Sequence, residues 1–260
     1  MSSNVAETAI IHPDASIASD VSIGPYAVIG QHVTIGAGTI IGPHVRIEGP
    51  TTLGERNRII GQASIGTEPQ DLKFRGERTE LRIGNDNVFR EFVTINRGTT
   101  GGGAITTIGN SNFFMAYAHV AHDCHVGSNT IFANNATLAG HVEVGDFATI
   151  GAFSAVHQFC RVGDQAFIGG GSICTQDVLP FVKTVGNRPA KTYGINTIGL
   201  ERKGFSKETI DALQKAYRIL TRAKLLQKDA LDKIEAELGF VSEVRYFVEF
   251  IRTAKRGVIR

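Results

Sequence analysis

Aliphatic residues recur along this chain at every sixth position. The register opens at Ile11 and continues through Ile17, Ile23, Ile29, Ile35, Ile41, Ile47, Leu53, Ile59 and Ile65. It resumes at Ile83, Phe89 and Ile95. After a second break it runs from Ile108 through Phe114, Val120, Val126, Phe132, Leu138, Val144, Ile150, Val156, Val162 and Ile168 to Cys174. A helix of about 3.6 residues per turn cannot keep a six-residue stripe on one face, and a flat strand alternates with a period of about two. A chain that turns a corner at each hexapeptide satisfies the pattern, placing one aliphatic side chain inside each time. Four residues after each aliphatic comes a second, mostly small position, as at Ala27, Thr39, Ala63, Ala118, Cys124, Thr130, Ala136 and Ser154. Glycine often follows the aliphatic, as in Ile23-Gly24 and Ile35-Gly36, where the missing Cβ is expected to relieve a turn. Three hexapeptides make one triangular coil of 18 residues, so the sequence predicts a mainly β fold, a parallel β-helix over residues 1–189. Stacked coils share one core, and stability grows by contacts between neighbours along the axis.

From about residue 190 the period vanishes and helical signals replace it. Ser206 can cap a helix whose apolar positions Ile210, Leu213, Tyr217 and Leu220 recur at three and four. A second helix is predicted over 229–238, ending before Gly239, and a third over 242–255 with Val244, Phe247, Phe250 and Ile251 inward. Residues 190–260 therefore read as a smaller C-terminal helical domain. Two inserts interrupt the six-residue register, as loops near 67–80 and 97–104. Loops leaving a rigid scaffold are where binding groups gather, although a purely structural loop fits equally well at this point. The Gly101-Gly102-Gly103 run lacks the strand-to-helix setting and the GK[ST] ending of a phosphate-binding loop, which argues against nucleotide hydrolysis.

Composition narrows the class. A hydrophobic fraction of 42% with 20% charged residues describes a globular protein able to bury a core. The net charge of +2 argues against a general nucleic-acid binder. No apolar run is long enough for a membrane span, and the N-terminal residues lack the charged-then-apolar layout of a signal peptide, so a cytoplasmic location is expected. Cys124, Cys160 and Cys174 form no C-x-x-C pair and read as reduced core thiols.

The densest chemistry is His119-Val120-Ala121-His122-Asp123-Cys124-His125. In the six-residue register Val120 and Cys124 point inward, while His122 and Asp123 take outer positions. One coil beyond His122 is Gly140 and the next is Gln158, so these three are predicted to stack; one coil beyond Asp123 is His141. An imidazole can take a proton from an attacking hydroxyl at neutral pH, and a peptide N–H at a glycine can receive an oxyanion unobstructed. That is an acyl-transfer arrangement. For lone histidines such as His12, His32 and His44, a solvated surface role is the better reading. A zinc site built from His119, His122 and His141 is the competing one, although no two of these share an 18-residue column.

The segments SIGTEPQDLKF, TINRGT, AHVAHDC, FANNATLAGHV, AVHQFC and YGINTIGLERKGF resemble the UDP-N-acetylglucosamine O-acyltransferases of lipid A biosynthesis, over nearly the whole chain. The resemblance implies a left-handed coil, a homotrimer with active sites between prisms, and transfer of a 3-hydroxyacyl group from acyl carrier protein to a UDP-sugar. It implies His122 as general base, Asp123 orienting it, the Gly140 amide facing the oxyanion, and no metal or cofactor. By the same resemblance Gln70 and Asp71 meet the sugar, and Lys73 lies near the donor. His119, His141, His157 and Gln158 supply further binding positions, and Asn196 and Arg202 meet the nucleotide. Arg202, Lys203, Lys215, Arg218, Arg222, Lys224, Lys255 and Arg256 supply positive charge that suits acidic acyl carrier protein. Asn96 stands where the family's T-I-H-R-G-T has histidine, which points to a 3-amino sugar as acceptor, and Lys203 replaces an arginine. Gly170 matches the family's acyl-length position, where glycine should admit a longer chain, about 14 carbons, each buried methylene contributing roughly 0.8 kcal/mol.

Overall fold

The computed structural model describes residues 5–260. Short strands fall into three sheets of 9, 8 and 10 strands, and along each sheet successive neighbours come from successive coils. Each face of a triangular prism thus receives one strand per coil, in a left-handed parallel β-helix. Val120 pairs with Leu138 and Leu138 with Val156, one coil apart each time. At the inserts Ile65 pairs with Ile95, and Ile83 with Ile108, so the stack continues past both loops, with a one-residue register shift between Ile65 and Thr67 where the first loop leaves.

Every aliphatic or phenylalanine of the register from Ile23 to Cys174 is at most 4% exposed, and each fully buried side chain of this kind contributes roughly 1.5–3 kcal/mol. Ile11 and Ile17, at the end of the stack, are only half-buried. At one inner corner the small positions become polar: Thr39, Asn57, Asn87, Asn112 and Thr130 are all buried. Asn87 donates from both its backbone N–H and its Nδ2 to Asn57 Oδ1, each at 3.0 Å, and Asn112 N–H donates to Asn87 Oδ1 at 2.9 Å. Thr130 continues the ladder onto Asn112 Oδ1. Because each amide is satisfied by the coil before and after it, a polar column is tolerated inside the core.

The glycines that follow the aliphatics have a different cause from the one expected. Gly24 and Gly36 do not adopt positive φ; a Cβ on Gly36 would lie 2.6 Å from the Gly54 carbonyl group of the next coil. Close approach of neighbouring coils, not turn strain, requires glycine there. The left-handed corner positions are instead filled by residues such as Tyr26, His44, Asp123, His141 and Phe153, with φ between 56° and 61°.

Beyond the prism, a strand Lys191–Ile195 pairs antiparallel with Val182–Val185 and ends one sheet. Four helices follow: α1 Thr197–Arg202, α2 Lys207–Arg222, α3 Gln227–Leu238 and α4 Ser242–Arg252. Ser206 caps α2 by accepting the Thr209 N–H at 3.2 Å. The short α1, with Gly199 in its middle, had no periodic signal to announce it. The helices form a second apolar cluster that takes in Leu179, Phe181 and Val182 with Leu213, Ile234, Phe247 and Ile251. Arg161 fastens α4 to the coils, donating to Asp177 Oδ2 at 3.0 Å and to the Phe250 carbonyl at 2.7 Å. No helix among the described residues is long and apolar enough to cross a membrane.

Candidate active site

His122 and Asp123 occupy the corner between the strands His119–Val120 and His125–Val126. Asp123 adopts the left-handed conformation, φ 58°, which a short polar side chain tolerates. Its Oδ2 lies 2.7 Å from His122 Nδ1. Asp123 takes an outer corner of the coil, as expected, yet it is only 2% exposed. The second loop folds over it. Thr99 donates its N–H to Asp123 Oδ1 at 2.7 Å and its hydroxyl to Oδ2 at 2.6 Å. Within that loop Thr100–Gly102 make a 3₁₀ turn, and a Cβ on Gly102 would come 2.1 Å from the Asp123 carboxyl carbon. Thr99 and Gly102 carried no site signal in the sequence beyond their place in a glycine-rich insert.

With His122 Nδ1 turned to a carboxylate, the proton sits on that nitrogen and Nε2 is left as the acceptor. Gly140 lies where the 18-residue step puts it. A Cβ there would be 2.6 Å from His122 Cε1 and 2.8 Å from Nε2, so only glycine allows the ring to rest against this turn. The Gly140 N–H has no acceptor among the described residues, while its carbonyl accepts Phe159 N–H at 3.2 Å. Cys124 beside them points inward, and burial pushes its thiol up to about 12, which removes it as a nucleophile.

Two more histidines join the site. His141 meets the His122 ring edge-on with centroids 5.1 Å apart, stacks on Phe159 at 4.4 Å, and brings Nε2 to 3.7 Å from Asp123 Oδ2. Burial holds its pKa below the ordinary value, against opposing pulls from Asp123 and from Asp71 of the first loop. His119 bonds through Nδ1 to Thr94 Oγ1 at 2.7 Å, and burial, then the neighbouring His122, lowers its pKa. A cleft of about 430 Å³ opens beside His141, lined by Gly102, Asp123, His125, His141, Phe159 and Lys255 among others.

The remaining expected residues are more dispersed. Gln70 and Lys73 are exposed on the first loop, where Asp71 Oδ1 accepts the Lys73 N–H at 2.9 Å. Asn96 is buried and donates to Thr67 Oγ1 and the Glu68 carbonyl, tying down the base of that loop, while its Oδ1 has no partner. His157 and Gln158 are exposed, with Arg256 3.4 Å from His157 Nδ1. Asn196 starts α1 and donates to the Gln165 carbonyl at 3.3 Å; Arg202 ends that helix, exposed. Gly170 is exposed, and a Cβ there would stand 3.2 Å from the Ala152 carbonyl oxygen.

The three histidines His119, His122 and His141 do not converge as a ligand set among the described residues. His122, Asp123 and His141, rather than His119, bring one candidate ligand atom each within 4.8 Å of one another. The carboxylate, however, already accepts two bonds from Thr99 and one contact from His122 Nδ1, so a cation would have to displace donors held at 2.6–2.7 Å. That bonding suits proton transfer better than metal ligation.

Residues 2–37 and 105–140 match the bacterial transferase hexapeptide family, and residues 177–259 match the second domain of UDP-N-acetylglucosamine O-acyltransferase. An acyl-[acyl-carrier-protein]–UDP-N-acetylglucosamine O-acyltransferase from Stenotrophomonas maltophilia is 51% identical over 195 residues, 75% of this chain and 74% of the relative. The chain belongs to that acyltransferase family. A relative from Xylella fastidiosa with the same description is 50% identical over the same share of each chain. The solved acyltransferase of Acinetobacter baumannii superposes with a TM-score of 0.96 at 45% identity, covering 98% of this chain and 99% of the other. The prism and helical tail together thus superpose on an independently determined structure over nearly the whole chain.

Proposed function

We propose that the chain transfers a 3-hydroxyacyl group from acyl carrier protein to the 3-position of UDP-N-acetylglucosamine or its 3-amino analogue, opening lipid A biosynthesis in the cytoplasm. The observation that carries this reading is the His122 imidazole, held by Asp123 at 2.7 Å and resting against Gly140. His122 Nε2 takes the proton from the sugar 3-hydroxyl as that oxygen attacks the thioester carbonyl. The C–O bond forms, the carbonyl becomes an oxyanion, and the free Gly140 N–H is the donor nearest to receive it. Collapse breaks the C–S bond, and the imidazolium returns its proton to the departing thiol. Asp123 keeps the ring in the tautomer this sequence of steps needs.

Gln70 and Asp71 on the first loop hold the sugar and Lys73 the donor; Asn196 and Arg202 hold the uridine diphosphate, the guanidinium by forked bonds to phosphate. His119, His141, His157 and Gln158 line the path between them, and the acyl chain runs past Gly170. A trimer brings these dispersed residues to one cleft. Its support here is the column of Phe92, Tyr117 and Phe153, 39%, 54% and 70% exposed along one edge of the prism. The basic tail suits an acidic carrier protein. The 3-amino alternative rests on Asn96 standing where the family pattern has histidine.

Mass spectrometry of the product formed from defined 3-hydroxyacyl carrier proteins and each of the two sugar nucleotides tests this reading. The expected product carries one 3-hydroxyacyl group at the sugar, with the 3-amino acceptor turned over faster and a donor of about 14 carbons preferred. Absence of acylated sugar nucleotide with either acceptor contradicts the proposal; faster turnover of the ordinary hydroxyl acceptor contradicts the role given to Asn96.

A further inference from the structure

We infer that Thr99 is the positioning residue of the His122–Asp123 pair, and that the loop 97–103 is a fixed cover built to hold that carboxylate. This rests on the reading of His122 as the base. A carboxylate at a solvated corner turns freely and exchanges its hydrogen bonds with water. Asp123 is denied both freedoms, because one residue grips both of its oxygens: the Thr99 N–H takes Oδ1 at 2.7 Å and the Thr99 hydroxyl takes Oδ2 at 2.6 Å. The position left open on Oδ2 is the one that faces His122 Nδ1.

Thr99 is itself anchored. It is 7% exposed, and its carbonyl accepts the N–H groups of Gly102 and Ala104 at 3.0 and 2.8 Å, closing the turn beneath it. From the other side Thr106 Oγ1 accepts the Asp123 N–H at 2.8 Å. Gly102 lies flat on the carboxylate, where a Cβ would come 2.1 Å from its carbon. Thr99 has no contact with His122 and acts only through Asp123, by fixing the acceptor that sets the tautomer and direction of the imidazole. The insert is thereby explained without assigning it a phosphate.

The test compares Thr99→Val, Thr99→Ser and Gly102→Ala with the unaltered enzyme, following kcat, the KM for UDP-N-acetylglucosamine, the pH–rate profile and the proton resonance of His122 Nδ1–H. Thr99→Val is expected to lower kcat about 10- to 100-fold with KM little changed, as loss of a hydrogen bond to a charged group predicts. Its pH–rate profile moves and the Nδ1–H resonance weakens or shifts. Thr99→Ser, which keeps the hydroxyl, restores most of kcat and the resonance. Gly102→Ala, which pushes the loop off the carboxylate, reproduces the Thr99→Val behaviour; if Thr99→Val does not fold, this variant decides. Normal kcat, profile and resonance in Thr99→Val or, in its place, Gly102→Ala overturn the role of Thr99, provided His122→Ala is inactive. Turnover retained by His122→Ala overturns the underlying reading instead.

Discussion

Burial does opposite work on two kinds of side chain at the site. It turns Cys124 into an inert thiol, and it makes His119 and His141 harder to protonate than an ordinary histidine near 6.5. Neutral rings suit the proposed hydroxyl-binding surface, since charged ones would repel the imidazolium proposed to form on His122 during turnover. The same burial ties stability to pH. The unfolded chain takes up a proton near 6.5, while the folded rings resist to lower pH, so stability is lost as pH falls from 6.5 towards the folded values. Below those values no more is lost. Thermal unfolding at about pH 8 and about pH 5.5 should therefore show a drop that is smaller in His119→Gln. An undiminished drop in that variant would mean that the burial of His119 and its neighbour His122 carry no weight.

At the scale of elements, the hexapeptide coil does most of the organising, and its stability is distributed through ladders as well as aliphatic stacking. Asn87 is the middle rung of the buried amide ladder, donating to Asn57 Oδ1 and the Gly109 carbonyl and accepting from Asn112 N–H. Asn87→Ala leaves the Gly109 carbonyl and the Asn112 N–H without their partner and removes one of the two donors to Asn57 Oδ1; it should lower the unfolding free energy by about 3 kcal/mol in a denaturant titration, leaving turnover per folded molecule unchanged. A loss below about 0.5 kcal/mol would mean that the coils close over the gap. These elements also explain what could be read in advance. The stacking of His122 on Gly140 follows from the 18-residue step alone, and so does the column from Asp123 through His141 to Phe159. The burial of Asp123 does not follow, because the atoms that cover it belong to an insert whose path the period does not dictate. Asn96 was legible as a departure from the family pattern but not as the tether of the first loop, since its partners Thr67 and Glu68 are brought to it only by the coil. Helix α1 escaped notice because six residues with a central glycine leave no amphipathic stripe.

At the scale of the molecule, the prism sets the residues proposed for proton transfer, oxyanion binding and acyl-chain measurement at fixed coil spacings. The helical tail is fastened to its end by Arg161, and the chain terminus returns to it through Ile259 N–H, which donates to the Asp177 carbonyl at 2.9 Å. A single chain spreads Gln70, Lys73, Asn196 and Arg202 around this body, and the proposed trimer supplies the reason for their separation. The central claim is narrower than the assembly: one imidazole, oriented by Asp123, removes the acceptor's proton. Steady-state turnover of His122→Ala, assayed with 3-hydroxyacyl carrier protein and both sugar nucleotides at an unchanged particle mass, tests it most directly. The account predicts a fall of about 10²- to 10⁴-fold in kcat, the range typical for removal of a general base. Turnover within a few-fold of the unaltered enzyme would contradict it.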